Sequence, residues 1–414
     1  MVILKTASKT PIIHIFGLII VAAGVLFFYS NIPSYLGILN KITISNPVYW
    51  FRLFATLMLV AFLPPLFARG KMPRVFFTNP VFFWLVFYII VLILWFIPTA
   101  SSSVVDRIFQ LRIISLSMIA VYLFAFSQGK YVQIWARRMI LISILLAVAF
   151  NIWEVVHPSS FTPITFFSAT PGRSAGLYIN PNGAGAALVL GMILTITLIP
   201  IRYRLWFIFY ILIGVLLTFS RSMSLGWLIA VAMMWQQKII KLSNFVLLAT
   251  IFPLLIYSFL PDILYYINIH YGIFAEEGIY QRMSWFAHPL FDVDLSEIER
   301  KYVANLSWQM FLDKPLLGNG IGSTDLWTEQ VSTHNMYLYF MADYGIIGVF
   351  IYPLFVLAAV WRARNDVRKV AVSFAIFALF WGFFSHNIVD AYFSLIAFAL
   401  MAAMSYQSHI DEAE

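Results

Sequence analysis

Apolar runs of about 20 residues recur along the chain, separated by short polar connections and by one long polar segment. A helix needs about that length to cross the hydrocarbon core of a bilayer. The runs show no period-two alternation, so they read as helices that satisfy their own backbone and not as strands of a barrel. About twelve spans are predicted, beginning near residues 11, 47, 80, 108, 139, 183, 205, 223, 244, 334, 371 and 392. The first follows Lys5 and Lys9, as a signal peptide would. It is long for such a segment and heads a series of similar runs, so it reads as a helix. The pattern divides the chain into residues 1–260 (nine spans), a polar segment over 261–333, and residues 334–414 (three spans and a tail).

Within the polar segment, residues 296–313 place Ile298, Tyr302, Leu306, Met310 and Phe311 near helical spacing, followed by Pro315 and Gly318. That predicts a helix lying on the membrane surface.

Composition agrees with this reading. Hydrophobic residues make up 62% of the 414 and charged residues 11%, against about a quarter charged in soluble domains. Most of the 26 Lys and Arg residues fall on alternate short loops: Lys5 and Lys9; Arg69, Lys71 and Arg74; Lys130, Arg137 and Arg138; Arg202 and Arg204; Lys238 and Lys241; and Arg362, Arg364, Arg368 and Lys369. The positive-inside rule puts those loops and both termini in the cytoplasm. The net charge of +8 is then mostly a topology signal and not a nucleic-acid patch. More than half of the 18 acidic residues lie in 261–333, on the opposite, outward face. Cysteine is absent, which excludes disulfides, thiolate nucleophiles and thiolate metal sites.

Candidate chemistry gathers on the outward face. His334, in Thr333-His334-Asn335-Met336-Tyr337, stands where the polar segment returns to an apolar run. An imidazole at such a place can serve as a general base near neutral pH. His386, in Ser385-His386-Asn387, is the nearest rival; His14 reads as packed, and His157, His270 and His288 as loop residues. Arg52, Arg112 and Arg221 lie within or at the ends of apolar spans. A charge there faces a cavity or a partner, or else snorkels to the interface. Arg221 sits in the polar break Thr218-Phe219-Ser220-Arg221-Ser222 and reads as a site residue. Arginines gathered on one membrane face suit a lipid-linked pyrophosphate, since guanidinium groups bind phosphate oxygens without a metal. Asp292, Asp294, Glu297 and Glu299 show no recognised ligand spacing, so no metal or other cofactor is expected. Arg173, in Gly172-Arg173-Ser174-Ala175-Gly176 before Asn180-Pro181-Asn182, stands at an outer helix start that also reads as a simple turn and cap. Gly318-Asn319-Gly320-Ile321-Gly322 has no preceding strand and reads as a turn. Ser220 and Ser222 have no nucleophile-elbow context.

In five pieces the chain resembles the O-antigen ligase family, a likeness shared broadly with O-antigen and exopolysaccharide polymerases. The pieces are Arg173-Ser174-Ala175-Gly176 with Asn180-Pro181-Asn182; Ser220-Arg221-Ser222; Arg282-Met283-Ser284-Trp285; Asp313-Lys314-Pro315-Leu316-Leu317-Gly318-Asn319-Gly320; and His334-Asn335 running into Gly345-Ile346-Ile347-Gly348. Their order covers roughly residues 160–400. The resemblance implies an all-α, GT-C-like glycosyltransferase of the bacterial inner membrane with one large periplasmic loop. It would take a glycan from undecaprenyl pyrophosphate and pass it to the lipid A–core, or, in the polymerases, to a second lipid-linked repeat. Carried over, Arg221 and Arg282 hold the diphosphate and His334 serves the acceptor. Arg112, Arg52, Arg173, Asn182 and Asn335 are further substrate-binding candidates, and Tyr337 and Trp285 either stack on sugar rings or pack. One large outer loop beside a modest second one leans towards ligase over polymerase. A flippase or other transporter would show paired repeats and charges reachable from both sides, whereas here the polar residues gather at one face.

Overall fold

A computed structural model describes residues 12–38, 46–69, 74–99, 103–157, 160–161, 172–271, 295–326 and 332–413. The protein is all-helical, with no strand among the described residues. In chain order the helices are α1 (Ile12–Tyr29), α2 (Ile32–Ile38), α3 (Pro47–Arg69), α4 (Arg74–Phe77), α5 (Pro80–Thr99), α6 (Ser103–Phe126), α7 (Lys130–Val156), α8 (Pro181–Thr195) and α9 (Arg204–Leu217). They continue with α10 (Arg221–Gln236), α11 (Leu242–Tyr271), α12 (Leu295–Asp313), α13 (Met336–Tyr344), α14 (Ile346–Val360), α15 (Asn365–Gly382) and α16 (Tyr392–Ala413).

Among the described residues, five helical stretches are long and apolar enough to cross a membrane: Pro80–Ile97, Ser103–Phe126, Lys130–Val156, Pro181–Leu198 and Tyr392–Glu412. Ile15–Tyr29, Pro47–Leu63 and Ile346–Val360 are apolar but shorter. This is a polytopic membrane protein, and it is less regular than an even series of spans. The run expected from about residue 334 is two helices, α13 and α14, parted at Gly345, whose φ is +62°. The fourth and fifth runs begin earlier than their apolar residues suggest, at Ser103 and Lys130. Arg137 and Arg138 therefore ride on α7 and not in a loop. Arg137 donates to the Leu194 carbonyl at 2.8 Å and to the Thr197 hydroxyl, and Arg138 lies 5.1 Å over the Trp135 ring. The helix expected over 296–313 is α12. Its Val303 and Ser307 are buried while Ile298, Tyr302, Trp308 and Leu312 are exposed, so one face packs inward and apolar side chains stand on the other.

α8 runs through the middle of the bundle. Apart from Asn182 and Gly183 all of its residues are buried. Its small residues let neighbouring backbones come close; a Cβ on Gly185 would stand 2.8 Å from Met223, at the start of α10. α7, α9, α10, α15 and α16 pack around it.

The two ends of the bundle differ. At one end, Lys130 pairs with Asp411 (2.7 Å), Arg364 with Glu412 (3.1 Å), and Arg204 donates to the Ile239 carbonyl (2.8 Å). Exposed Tyr131, Tyr203, Trp206, Trp235 and Trp361 surround these basic residues, an aromatic belt at an interfacial level. At the other end lie the starts of α8, α10 and α13 and the turn between α15 and α16.

That second end is tied together by buried polar contacts. Tyr29 donates to the Ala187 carbonyl, Tyr178 to the Tyr29 carbonyl, and the Glu154 carboxylate accepts the Ala175 and Gly176 amides at 2.7 and 2.8 Å. The Lys314–Gly320 turn clasps the α13–α14 break: Asn319 and Gly320 amides donate to the Ala342 and Asp343 carbonyls, and the Ile346 amide donates to the Pro315 carbonyl. A Cβ on Gly345 would stand 2.6 Å from the Leu316 carbonyl oxygen, so only glycine fits. The buried Asp343 carboxylate completes the clasp by accepting the Gly322 amide and the Ser323 hydroxyl.

Candidate functional site

Three helix N-termini converge at this end, and each is reached through a non-glycine residue in the left-handed region. Ile179 (φ +65°) precedes Asn180 before α8, Phe219 (φ +46°) precedes Ser220 before α10, and His334 (φ +50°) precedes Asn335 before α13. For a side chain other than glycine this conformation costs about 1–2 kcal/mol, and for a β-branched residue it is an outlier. Such strain persists only where the surroundings over-determine it, and it clusters at functional sites. The caps fit the sequence. Asn180 Oδ1 accepts the Asn182 and Gly183 amides, and Asn335 Oδ1 accepts the Tyr337 and Leu338 amides at 3.0 and 3.1 Å.

Two cavities open among these helix starts. The first, of about 360 Å³, is cationic. Arg221 and Ser222 of α10 face Arg300, Lys301 and Ala304 of α12, with Thr333, His334, Asn335, Phe383 and Phe384 completing the wall. The second, of about 330 Å³, is lined by amides, hydroxyls and aromatics: Asn31, Ser34, Asn180, Asn182, Ser385, Asn387 and Asp390, with Tyr178, Trp381 and Phe393. His334 and Phe384 line both. The wall between the cavities therefore carries an imidazole.

His334 is half-buried and meets His386 edge-on, with ring centroids 5.6 Å apart. Burial, and after it the Arg300 guanidinium, hold the His334 imidazole down at about 4. Burial first, then His334 and Arg112, bring His386 to about 3. Both rings are neutral at neutral pH and can accept a proton. The Nδ1 atom of His386 is buried and makes no hydrogen bond among the described residues.

The residues singled out in the sequence separate into four groups. Arg221, His334 and Asn335 line the cationic cavity and Asn182 the second one. Arg173 stands behind them. It donates to the Thr218 carbonyl (2.8 Å) and to Asn182 Oδ1 (3.0 Å), and Asn182 Oδ1 also accepts from the Ser220 hydroxyl (2.7 Å). That network ties the start of α8 to the start of α10 and fixes the Asn182 amide with its nitrogen available to donate.

Three residues are placed elsewhere. Arg112 is buried on α6, paired with Asp390 at 2.5 Å and lying 5.2 Å over the Tyr339 ring, so it lines neither cavity. Arg52 is exposed on α3, away from both. Tyr337 is packed: its hydroxyl donates to the Leu379 carbonyl and its ring lies against Phe383 and Tyr352. Arg282 and Trp285 lie outside the described residues. The cavity also contains two cations that the sequence did not mark out, Arg300 and Lys301. In the sequence they are ordinary charges on a surface helix, and only the packing of α12 beside α13 turns them towards Arg221.

Residues 182–352 match the protein family described as O-antigen ligase. The assignment suggested by the motifs holds for that segment, which takes in Arg221, Arg300 and His334 and ends before His386. No curated protein matches the chain.

Proposed function

We propose that this membrane protein of the O-antigen ligase family is a glycosyltransferase that moves a glycan from undecaprenyl pyrophosphate to the lipid A–core. The observation that carries the reading is the imidazole shared by two cavities of opposite character. A diphosphate fits the cavity of Arg221, Arg300 and Lys301, where charge-assisted bonds to phosphate oxygens are strongest. The helix starts at Arg221 and Met336 add their positive ends. Sugars fit the neighbouring cavity, whose amides and hydroxyls donate and accept hydrogen bonds and whose Trp381 and Phe393 offer apolar faces. Arg282, matched by motif, is assigned to the same diphosphate.

The reaction is a single displacement with inversion. The acceptor oxygen forms a bond to the anomeric carbon as the bond to the diphosphate oxygen breaks. The electron pair leaves with the diphosphate, and the acceptor proton passes to a ring nitrogen of His334. Guanidinium groups already in place stabilise the charge that develops on the leaving group. A value of about 4 makes His334 a weak base. A bound diphosphate beside it favours the imidazolium and raises that basicity during turnover. No cofactor takes part, and transfer is expected to persist in a chelator; its collapse there would return a divalent metal to the scheme.

Topology supports an outward-facing site. The basic end of the bundle reads as cytoplasmic, which leaves both cavities at the periplasmic leaflet and both termini inside. The deciding experiment supplies purified protein in lipid with an undecaprenyl-linked glycan and two competing acceptors, lipid A–core and a second lipid-linked repeat. Transfer to lipid A–core is expected. Elongation of the repeat instead identifies a polymerase, and movement of the intact donor across the bilayer without transfer identifies a transporter.

A further inference from the structure

A third cavity, of about 670 Å³, opens at the opposite, basic end of the bundle. It lies where the segment before α9 meets the turn between α10 and α11, and Arg202, Arg204, Lys238, Lys241, Trp206 and Trp235 line it. No carboxylate stands among the described residues that line it. The proposed transfer reaction uses none of these residues.

The groove has a built floor and an open rim. Arg204 is half-buried and donates to the Ile199 and Ile239 carbonyls at 3.1 and 2.8 Å, which joins its two walls. Trp235 stacks face to face on Phe245 (centroids 5.0 Å apart, interplanar angle 9°), so one aromatic wall is fixed. Arg202, Lys238 and Lys241 are exposed at the rim. Trp206 is 69% exposed and Leu242 53%. From Leu242 an exposed apolar track continues along α11 through Val246 and Leu247.

Asp366 acts on Arg204 from outside the groove and is itself paired with Lys369 at 2.7 Å. Cations with no carboxylate in the lining bind an anion, and tryptophans beside them set the depth at the level of lipid headgroups. The apolar track leading away along α11 suits a hydrocarbon chain. A soluble anion would make no use of that track. We infer that this groove binds the headgroup phosphate of an anionic phospholipid, with an acyl chain lying along α11. The lipid belongs to the leaflet of the basic loops, away from the leaflet in which glycan transfer is proposed. The inference rests on the membrane topology of that reading and not on its chemistry.

The test uses the full-length protein in detergent and native mass spectrometry of bound lipid. The probes are phosphatidylglycerol, phosphatidylcholine of the same chains, and inorganic phosphate. Phosphatidylglycerol is expected to be retained over phosphatidylcholine, and the Arg202→Gln/Lys238→Gln/Lys241→Gln variant to lose at least about tenfold in that affinity. A variant with equal net charge change elsewhere at the same end, Arg138→Gln/Arg362→Gln/Arg368→Gln, is expected to keep it. Lys241→Glu alone gives the same readout if the triple variant is not recovered. Unchanged retention in the groove variants, an equal loss in the second triple variant, or equal retention of phosphatidylcholine would overturn the assignment. Displacement of the lipid by millimolar phosphate would also overturn it and make the groove a site for free anions. Because the readout is binding, a protein inactive in transfer can still pass, and an active one can fail.

Discussion

The imidazole of His334 meets that of His386 edge to face, 5.6 Å between ring centroids, in the wall between the cationic and the amide-lined cavities. The two rings have different stations. His334 touches both cavities, whereas His386 touches only the second and lies tilted against Tyr339.

That difference predicts unequal roles. His334→Ala is expected to lower glycan transfer by about 10²–10⁴-fold, the usual worth of a general base, while the protein still inserts and purifies normally. His386→Gln is expected to leave measurable turnover. The check is a single-turnover assay on both purified variants; a His334→Ala protein that keeps full rate removes the imidazole from catalysis.

Arg221→Lys preserves charge but loses the planar fork that binds two phosphate oxygens at once. A fall of about 10²-fold or more in kcat/KM is expected, similar to losing one donor of an oxyanion hole. Arg300→Ala is expected to raise KM for the lipid-linked donor, because its guanidinium lies across the same cavity. Near-normal kinetics for Arg221→Lys would leave that arginine as an anchor of α10 only.

Acid should destabilise the fold through the same two rings. His334 and His386 sit at about 4 and 3, below the ordinary 6.5 that each regains on unfolding. Between those values the unfolded chain binds more protons, so stability rises with pH through that window and is lost as pH falls from about 6.5. Arg300 and Arg112 act in the same sense. The expected signature is a Tm that drops between pH 7 and pH 5, and drops less in His386→Gln. Carboxylates titrate in the same range, so the difference between the two proteins is the quantity to read. Parallel curves would show that His386 carries none of the effect.

Arg112 and Asp390 should behave as a structural pair. Arg112→Ala leaves a carboxylate at the cavity wall without its partner, and a loss of about 3 kcal/mol is expected, the low end for a buried pair because Asp390 keeps some exposure. Replacing both, by Arg112→Met with Asp390→Leu, should recover part of that loss. Thermal unfolding of the three variants in detergent provides the comparison. If the double variant is no more stable than Arg112→Ala, the pair is doing something other than neutralising itself.

Much of this could be read from the chain. Apolar length gave the all-helical class though not an even series of spans, spacing gave α12 as a helix, and the Asn180 cap stands where a turn-rich stretch precedes an apolar run. The Gly318–Gly322 turn was legible because glycine clusters without a strand make turns. What stayed hidden depended on distant partners. Asp390 lies far along the chain from Arg112, so nothing local distinguished a paired arginine from one facing substrate. Arg300 and Lys301 acquire meaning only when α12 packs beside α13. The break at Gly345 was masked by apolar residues on both sides, since hydropathy counts side chains and is blind to a positive φ. Arg137 misled in the other direction, because a carbonyl at the end of a neighbouring helix accommodates a guanidinium that looked like loop.

One further consequence follows from Asp390. It lines the wall of the amide-lined cavity with its charge already answered by Arg112. Under the proposed reaction that chamber would grip sugars through the directions of their hydroxyls, with little regard for electrical charge. An enzyme built this way should accept repeat units of varied composition and refuse mainly those that are too bulky.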